Sequence, residues 1–117
     1  MKLVMIIVRE SMYYETNDAL LAAGFNAMSG MEIVGRGKKR VDYVVGDSGR
    51  VQDAGLNELV AKTLLEVYVS DEFVEPLIET VLTVNRKNNS GDGKIFIIPV
   101  EDGLRIRTNE TGEKAAL

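Results

Sequence analysis

The feature that most constrains this chain is a strand–helix–strand pattern that occurs twice. Lys2 to Val8 is a nearly continuous apolar run rich in Ile and Val. A run this short and this β-branched reads as a strand covered on both faces. Met12, Thr16, Ala19, Leu20 and Ala23 then recur at helical spacing, after Ser11 as a candidate N-cap and before Gly24 where a left-handed C-cap belongs. The spacing predicts a first helix over residues 12–23. A second strand follows from Ala27 to Val34. The second unit starts with a strand over Thr63 to Val69. Ser70, Asp71 and Glu72 resemble a helix start, and Phe73, Val74, Leu77, Ile78, Val81 and Leu82 form an apolar stripe. Pro76 conflicts with a helix beginning at Asp71, because an interior proline costs about 3 kcal/mol. The helix therefore begins nearer Glu72 or kinks. Lys94 to Val100 is the last strand, and Pro99 puts its end near a sheet edge.

Between the two units lies Gly35 to Val60, which has no sustained period. Glycines at 35, 37, 46, 49 and 55 stand among charges of both signs. A structureless segment of this length inside a compact domain is functional or disordered. We read residues 36–59 as a mobile effector loop whose conformation reports a ligand at its root. The order is βαββαβ, the ferredoxin-like split βαβ. The expectation is one α+β domain over residues 1–117.

Composition excludes several functions. The chain carries 14 Lys and Arg against 18 Asp and Glu, a net charge of −4. General nucleic-acid binding by phosphate neutralisation does not fit that balance. With no cysteine and no histidine, there is no thiol nucleophile, no zinc–thiolate site and no imidazole base. The N-terminal apolar run is too short for a membrane span or a signal peptide, which implies a cytoplasmic protein with no membrane insertion.

Against this acidic background, three segments gather glycine or positive charge. In "SGDGK", Gly91 and Gly93 flank Asp92, and Lys94 follows. Glycines let backbone N–H groups turn toward an anion. Asp-Gly is also ordinary turn chemistry, and local sequence alone favours that plainer reading. Arg105 and Arg107 lie two residues apart. If "LRIRT" is extended, both leave one face and Ile106 packs on the other. They would suit phosphate oxygens, or they pair with Glu101, Asp102 or Glu110. "GRGKKR" is the third cluster, or else a solvated charge run. A polyphosphate ligand explains all three together. With no nucleophile and no histidine base, binding is favoured over turnover.

These residues resemble the PII signal-transduction family. The carriers are "GDGKIFIIPVEDGLRIRTNETGEKAAL", "MKLVMIIVR", "ALLAAGFNAMS" and "GRGKK". The likeness spans the chain except about Val41 to Val60. It implies a trimer of ferredoxin-like subunits that binds ATP or ADP in clefts between subunits. It also raises 2-oxoglutarate and Mg²⁺ as ligands, with no metal site of the protein's own. The long T-loop between strands 2 and 3 would engage a target. By position, Ser29 matches the residue near the adenine, and Gly35, Gly37 and Lys38 match the loop base that meets the nucleotide. Lys62 and Glu66 match the lysine and glutamate of the third strand, and Tyr68 lies in its nucleotide-facing part. Gly91, Asp92, Gly93 and Lys94 match the phosphate loop. Arg105 and Arg107 match arginines that reach phosphates across the interface. Lys39, Lys62 and Gly91 would meet 2-oxoglutarate.

Some positions depart from the family pattern "GFGRQKG". Arg36 stands for phenylalanine, Lys38 for arginine, and Lys39 for the glutamine that helps hold Mg²⁺ and 2-oxoglutarate. A protonated ammonium does not ligate a cation, but Lys39 can pair directly with a carboxylate. Tyr43, near the loop's start, is its only tyrosine. The sequence looks closest to the PII-like regulators encoded with nitrogenase genes, which act as a pair. This implies a homotrimer or a hetero-oligomer with a paralog, acting on a nitrogenase component. Alternatives are a regulator of an ammonium transporter or nitrogen-assimilation enzyme, and a nucleotide-hydrolysing enzyme with Glu66 or Asp92 as base. An RNA-binding module would need aromatic residues on a basic sheet face. A metal-binding trimer would need His or Cys ligands.

Overall fold

The computed structural model describes residues 1–37, 42–45, 50–53 and 59–117. Strand β1 spans Lys2–Arg9, and a 3-10 turn at Glu10–Met12 leads into α1, Tyr13–Ala22. Strand β2 spans Ser29–Gly35, β3 Asp42–Val45, β4 Arg50–Asp53 and β5 Val60–Val69. Helix α2 is Val74–Asn85, β6 is Lys94–Pro99 and the short α3 is Glu113–Ala116.

The main sheet has the order β2-β5-β1-β6, and every neighbouring pair is antiparallel. Strands β1 and β2, joined through α1, therefore run parallel with β5 between them. Strands β5 and β6, joined through α2, do the same around β1. This is the interleaved split βαβ arrangement that the sequence pattern implies.

Period-2 burial fixes the faces. Val4, Ile6 and Val8 of β1 and Leu65, Val67 and Val69 of β5 are buried in one core with Leu20 of α1 and Val74, Leu77 and Val81 of α2. The alternate residues Leu3, Met5, Ile7 and Arg9, with Lys62, Leu64, Glu66 and Tyr68, take the opposite face. On β6 that face carries Lys94, Phe96 and Ile98, because Phe96 pairs with Met5 and Ile98 with Leu3.

Boundaries differ from the sequence pattern where local chemistry intervenes. Ser11 is not a cap, because the 3-10 turn begins one residue earlier and α1 starts only at Tyr13, with no side-chain cap. Pro76 neither delays nor kinks α2. A 3-10 turn at Asp71–Phe73 comes first, and Pro76 falls in the first turn of the α-helix, where a missing N–H leaves few partners unmet. Phe73 leaves the predicted stripe and is 49% exposed. Between Gly35 and Val60 the chain is not without structure: β3 and β4 form an antiparallel pair from Asp42↔Asp53 to Val45↔Arg50. Two short valine-containing runs flanking Gly46 to Gly49 are hairpin chemistry too brief to register as a period. Lys38 and Lys39, and much of the predicted effector loop, lie outside the described residues.

The helices are joined by polar atoms as well as apolar ones. Asn85 Nδ2 donates to Thr16 Oγ1 and to Val81 O, both at 3.0 Å, and Thr16 Oγ1 donates to Met12 O at 2.7 Å. Both side chains are buried. Asn85 Oδ1 is buried without a partner among the described residues.

Gly24 ends α1 with φ +96°. Phe25 N–H donates to Leu20 O at 2.9 Å, and Gly24 N–H to Leu21 O at 3.0 Å. These are the two bonds of a Schellman cap. A Cβ at Gly24 would touch nothing, so the conformation and not crowding requires glycine. Gly24→Ala is expected to lower stability by about 1 kcal/mol. Urea denaturation of both proteins at one concentration checks this, and equal midpoints would refute the cap's contribution.

Candidate functional site

The "GDGK" loop is held by the end of β1 before any ligand is considered. Arg9 Nη1 donates to Asp92 Oδ1 at 2.8 Å in a half-buried ion pair. The other carboxylate oxygen accepts the Lys87 N–H at 2.7 Å and the Asn89 N–H at 3.3 Å. Lys62 Nζ donates to the Gly91 carbonyl at 2.8 Å. The glycines follow from this closeness. A Cβ at Gly91 would stand 2.9 Å from Arg9 Nη2. At Gly93, with φ +116°, it would collide with the Ile7 carbonyl.

Asp92 therefore acts inside the loop, with both oxygens occupied. The backbone N–H of Lys87, opposed by desolvation and aided by Arg9 and the Asn89 N–H, lowers its pKa to about 2. Burial, and then the neighbouring Arg9 charge, lower the pKa of Lys62, with Asp92 partly offsetting them. Lys94 is exposed beside this loop. Arg9, Lys62 and Lys94 thus gather three cations around one internal carboxylate. Gly35, paired with Val60, lies at this same end of the sheet. A Cβ at Gly35 or Gly37 would meet nothing within 4 Å among the described residues, so no packing against them requires glycine there.

Other predicted residues meet at the far end of β5. A cavity of about 570 Å³ is lined by Ser29, Glu66 and Tyr68, with Phe25, Asn26 and Phe73 among its further walls. Ser29 and Glu66 are direct cross-strand partners. Tyr68 is 43% exposed and Phe73 49% exposed, so two aromatic rings are available to a flat apolar group. Ala116 and Leu117, at the end of the chain, also line the cavity.

Arg105 and Arg107 do not lie on a strand. The backbone turns over residues 106–108, and Ile106 is 95% exposed, not packed behind the arginines. The cause is local bonding. Asn109, at φ +62°, donates its N–H to Arg105 O at 2.8 Å, while Arg105 N–H reaches Glu110 O at 3.0 Å. Arg105 Nη2 donates to Lys114 O at 3.3 Å, so this arginine is tied to α3. Arg107 is exposed.

The predicted site is thus divided in two. Gly35, Lys62 and Gly91 to Lys94 stand at one end of the sheet, and Ser29, Glu66 and Tyr68 at the other. Six residues of strand, about 20 Å, separate Lys62 from Tyr68. Motif reading missed Arg9, although its alternation with Val8 and its register opposite Lys62 put both cations on one face. It also missed Phe73, which looked like one more member of a helical stripe.

The Asp92 geometry predicts a pH dependence. An ordinary aspartate titrates near 3.9, and this one is lowered to about 2. Its contribution is present in full above the ordinary value and is lost as pH falls through about 2. The Asp92 carboxyl carbon shift should titrate with a midpoint near 2, followed by the Lys87 and Asn89 amides. A midpoint near 4 would contradict the bonded geometry.

Comparison with known proteins identifies the family. Residues 1–110 match the family described as "Nitrogen regulatory protein P-II". A nitrogen fixation nifHD region GlnB-like protein 2 from Methanobacterium ivanovii is 32% identical over 122 residues, covering 100% of both chains. A protein of the same description from Methanococcus maripaludis is 36% identical, covering 98% of this chain and 99% of its own. Nitrogen regulatory protein P-II 2 of Methanothermobacter thermautotrophicus is 38% identical, with 98% and 96% covered. P-II proteins are signal-transduction regulators, not enzymes. With its interleaved sheet, its stapled glycine loop and a family match over nearly its whole length, this chain belongs to the P-II nitrogen regulatory proteins.

Proposed function

We propose that this chain is a cytoplasmic P-II regulator that binds ATP or ADP between copies of itself and signals through residues 36–59. The observation that carries the reading is the division of the site. A base-sized cavity and a phosphate-type loop lie about 20 Å apart along one strand. A second copy can set the loop end of one chain against the cavity end of another. The open sheet face supports such an assembly: Phe96 is 46% exposed, Ile98 36% and Met31 60%, and α1 and α2 both pack on the other side. An apolar face of this kind commonly marks an interface. A trimer is the expected state, formed by this chain alone or with a paralog.

In this reading Tyr68 and Phe73 flank the base, and Ser29 offers a hydroxyl to it. Gly91 and Gly93 let backbone approach the phosphates, and Lys94, Arg105 and Arg107 supply charge. The bound nucleotide supplies an anionic group at the loop root, and the chain distinguishes its forms by contact, not by turnover. Lys62 is committed to the Gly91 carbonyl at 2.8 Å. A dicarboxylate such as 2-oxoglutarate would compete for that ammonium, with Lys39 as a second partner. Mg²⁺ would be held mainly by the ligands' oxygens. The nifHD-region names of the relatives support a nitrogenase component as the target.

Two measurements test the reading. Arg105→Ala with Arg107→Ala should weaken ATP and ADP binding at least about tenfold by calorimetry. Unchanged affinity in an intact assembly would remove the arginines from the phosphate site. Light scattering at micromolar concentration should give a trimer or a multiple of three, and Phe96→Glu should dissociate it. A stable wild-type monomer would overturn the shared site.

A further inference from the structure

Lys62 stands apart from the other described lysines. Lys87, Lys94 and Lys114 are exposed, and the half-buried Lys2 faces a carboxylate, Asp71 Oδ1, at 3.0 Å. Lys62 is half-buried as well, but its partner is a neutral group, the Gly91 carbonyl at 2.8 Å. The nearby carboxylate is already taken. Asp92 Oδ1 accepts from Arg9, and Oδ2 accepts two backbone N–H groups. A bond to a carbonyl needs one N–H of the amine and no positive charge. The neutral amine can therefore keep this bond and still carry a lone pair.

A second cation presses on the same point. Arg9 and Lys62 are direct cross-strand partners on one face, where opposite side chains begin about 5 Å apart. Like charges placed this way favour loss of a proton from the weaker cation, which is the lysine. Both side chains meet Gly91, where a Cβ would stand 2.9 Å from Arg9 Nη2 and 3.2 Å from Nε. Among the described residues only Nη1 of the Arg9 side chain has a hydrogen-bond partner. Nε and Nη2 are thus donors beside the residue that holds Lys62. Burial and the Arg9 charge both lower the Lys62 pKa, with Asp92 partly opposing them. Desolvation, or a neighbouring cation, is what turns a lysine into a nucleophile.

The electrophile follows from the charge left over. Arg9, Lys62 and Lys94 gather around the single carboxylate of Asp92, so a product that adds negative charge suits this place better than one that only removes positive charge. Carbon dioxide gives such a product. The Nζ lone pair attacks its carbon, an N–C bond forms, one C=O π pair moves onto oxygen, and the proton displaced from nitrogen passes to water. Nothing is oxidised or reduced. The carbamate nitrogen keeps one hydrogen, so its bond to the Gly91 carbonyl survives, while its carboxylate accepts from Arg9 Nε and Nη2. We propose that Lys62 is a carbamylation site, at which carbon dioxide is held covalently on Nζ and paired with Arg9. The reaction needs only residues of β1, β5 and the glycine loop, so it does not depend on nucleotide binding.

The test is a ¹³C spectrum of the full chain titrated with labelled bicarbonate at slightly alkaline pH, without nucleotide or dicarboxylate. The wild type is expected to show a saturable carbamate carbon signal that Lys62→Arg lacks, with the amide spectra of both proteins folded. Alkylation of the carbamate to its ester, followed by peptide mass analysis, should place the added group on Lys62. Arg9→Gln should lower occupancy about tenfold at fixed bicarbonate, through loss of both the neighbouring charge and the carbamate's partner. No saturable signal in the wild type, a signal of equal size in Lys62→Arg, or ester found only on the terminal amine or on other lysines, overturns the proposal.

Discussion

Alternate burial along β1 and β5 is the constraint on which the rest of this structure depends. Val4, Ile6 and Val8 and their neighbours Leu65, Val67 and Val69 go inward together. A slip of one residue would turn every one of them outward. The same register sends Arg9, Lys62, Glu66 and Tyr68 to the opposite face. The residues of the candidate site are therefore positioned as a by-product of core packing. Neither helix has to carry a functional side chain for this to happen. The helices supply the cover that makes one register much better than its neighbours.

The glycine loop adds a second level of order. Asp92 gathers Arg9 and two backbone N–H groups, and Lys62 caps the Gly91 carbonyl. These bonds tie a turn after α2 to the ends of two central strands. The glycines that invite a ligand reading are also those that let the loop sit against Ile7 and Arg9. A tight turn and an anion cradle are thus not competing readings here. The loop is built as the first, and the bonds that build it leave the proposed second use open to the backbone of Gly91 and Gly93.

Much of the fold was legible because its signals are local. The runs at Lys2 to Val8 and Thr63 to Val69, the stripe through Leu77 and Val81, and the C-cap at Gly24 all appear where their chemistry put them. The misses share a physical cause. Ser11 and Pro76 were read against a helix that starts directly, whereas a 3-10 turn precedes each helix and shifts its first turn. The alternation of Arg105, Ile106 and Arg107 suggested a strand, but the left-handed Asn109 closes a turn that no side-chain period records. The hairpin of β3 and β4 was too short to show a period. Within the candidate site, the glycines and cations could be read from composition against an acidic background. Arg9 could not, because its role depends on a partner 83 residues away. The division of the site between two ends of the sheet likewise needs register, which no single motif contains.

The Asp92 staple also bears on the time course of signalling. On the proposed nucleotide reading, a loop already fixed by internal bonds loses little further freedom when an anion arrives, so capture needs no prior rearrangement of that loop. Association there would then be set by diffusion and charge, and the lifetime of each bound state by how fast the ligand leaves. A sensor of this design would follow changes in ligand supply at the pace of release. The slow variable would be the residence time of the departing molecule, not the folding of its binding loop.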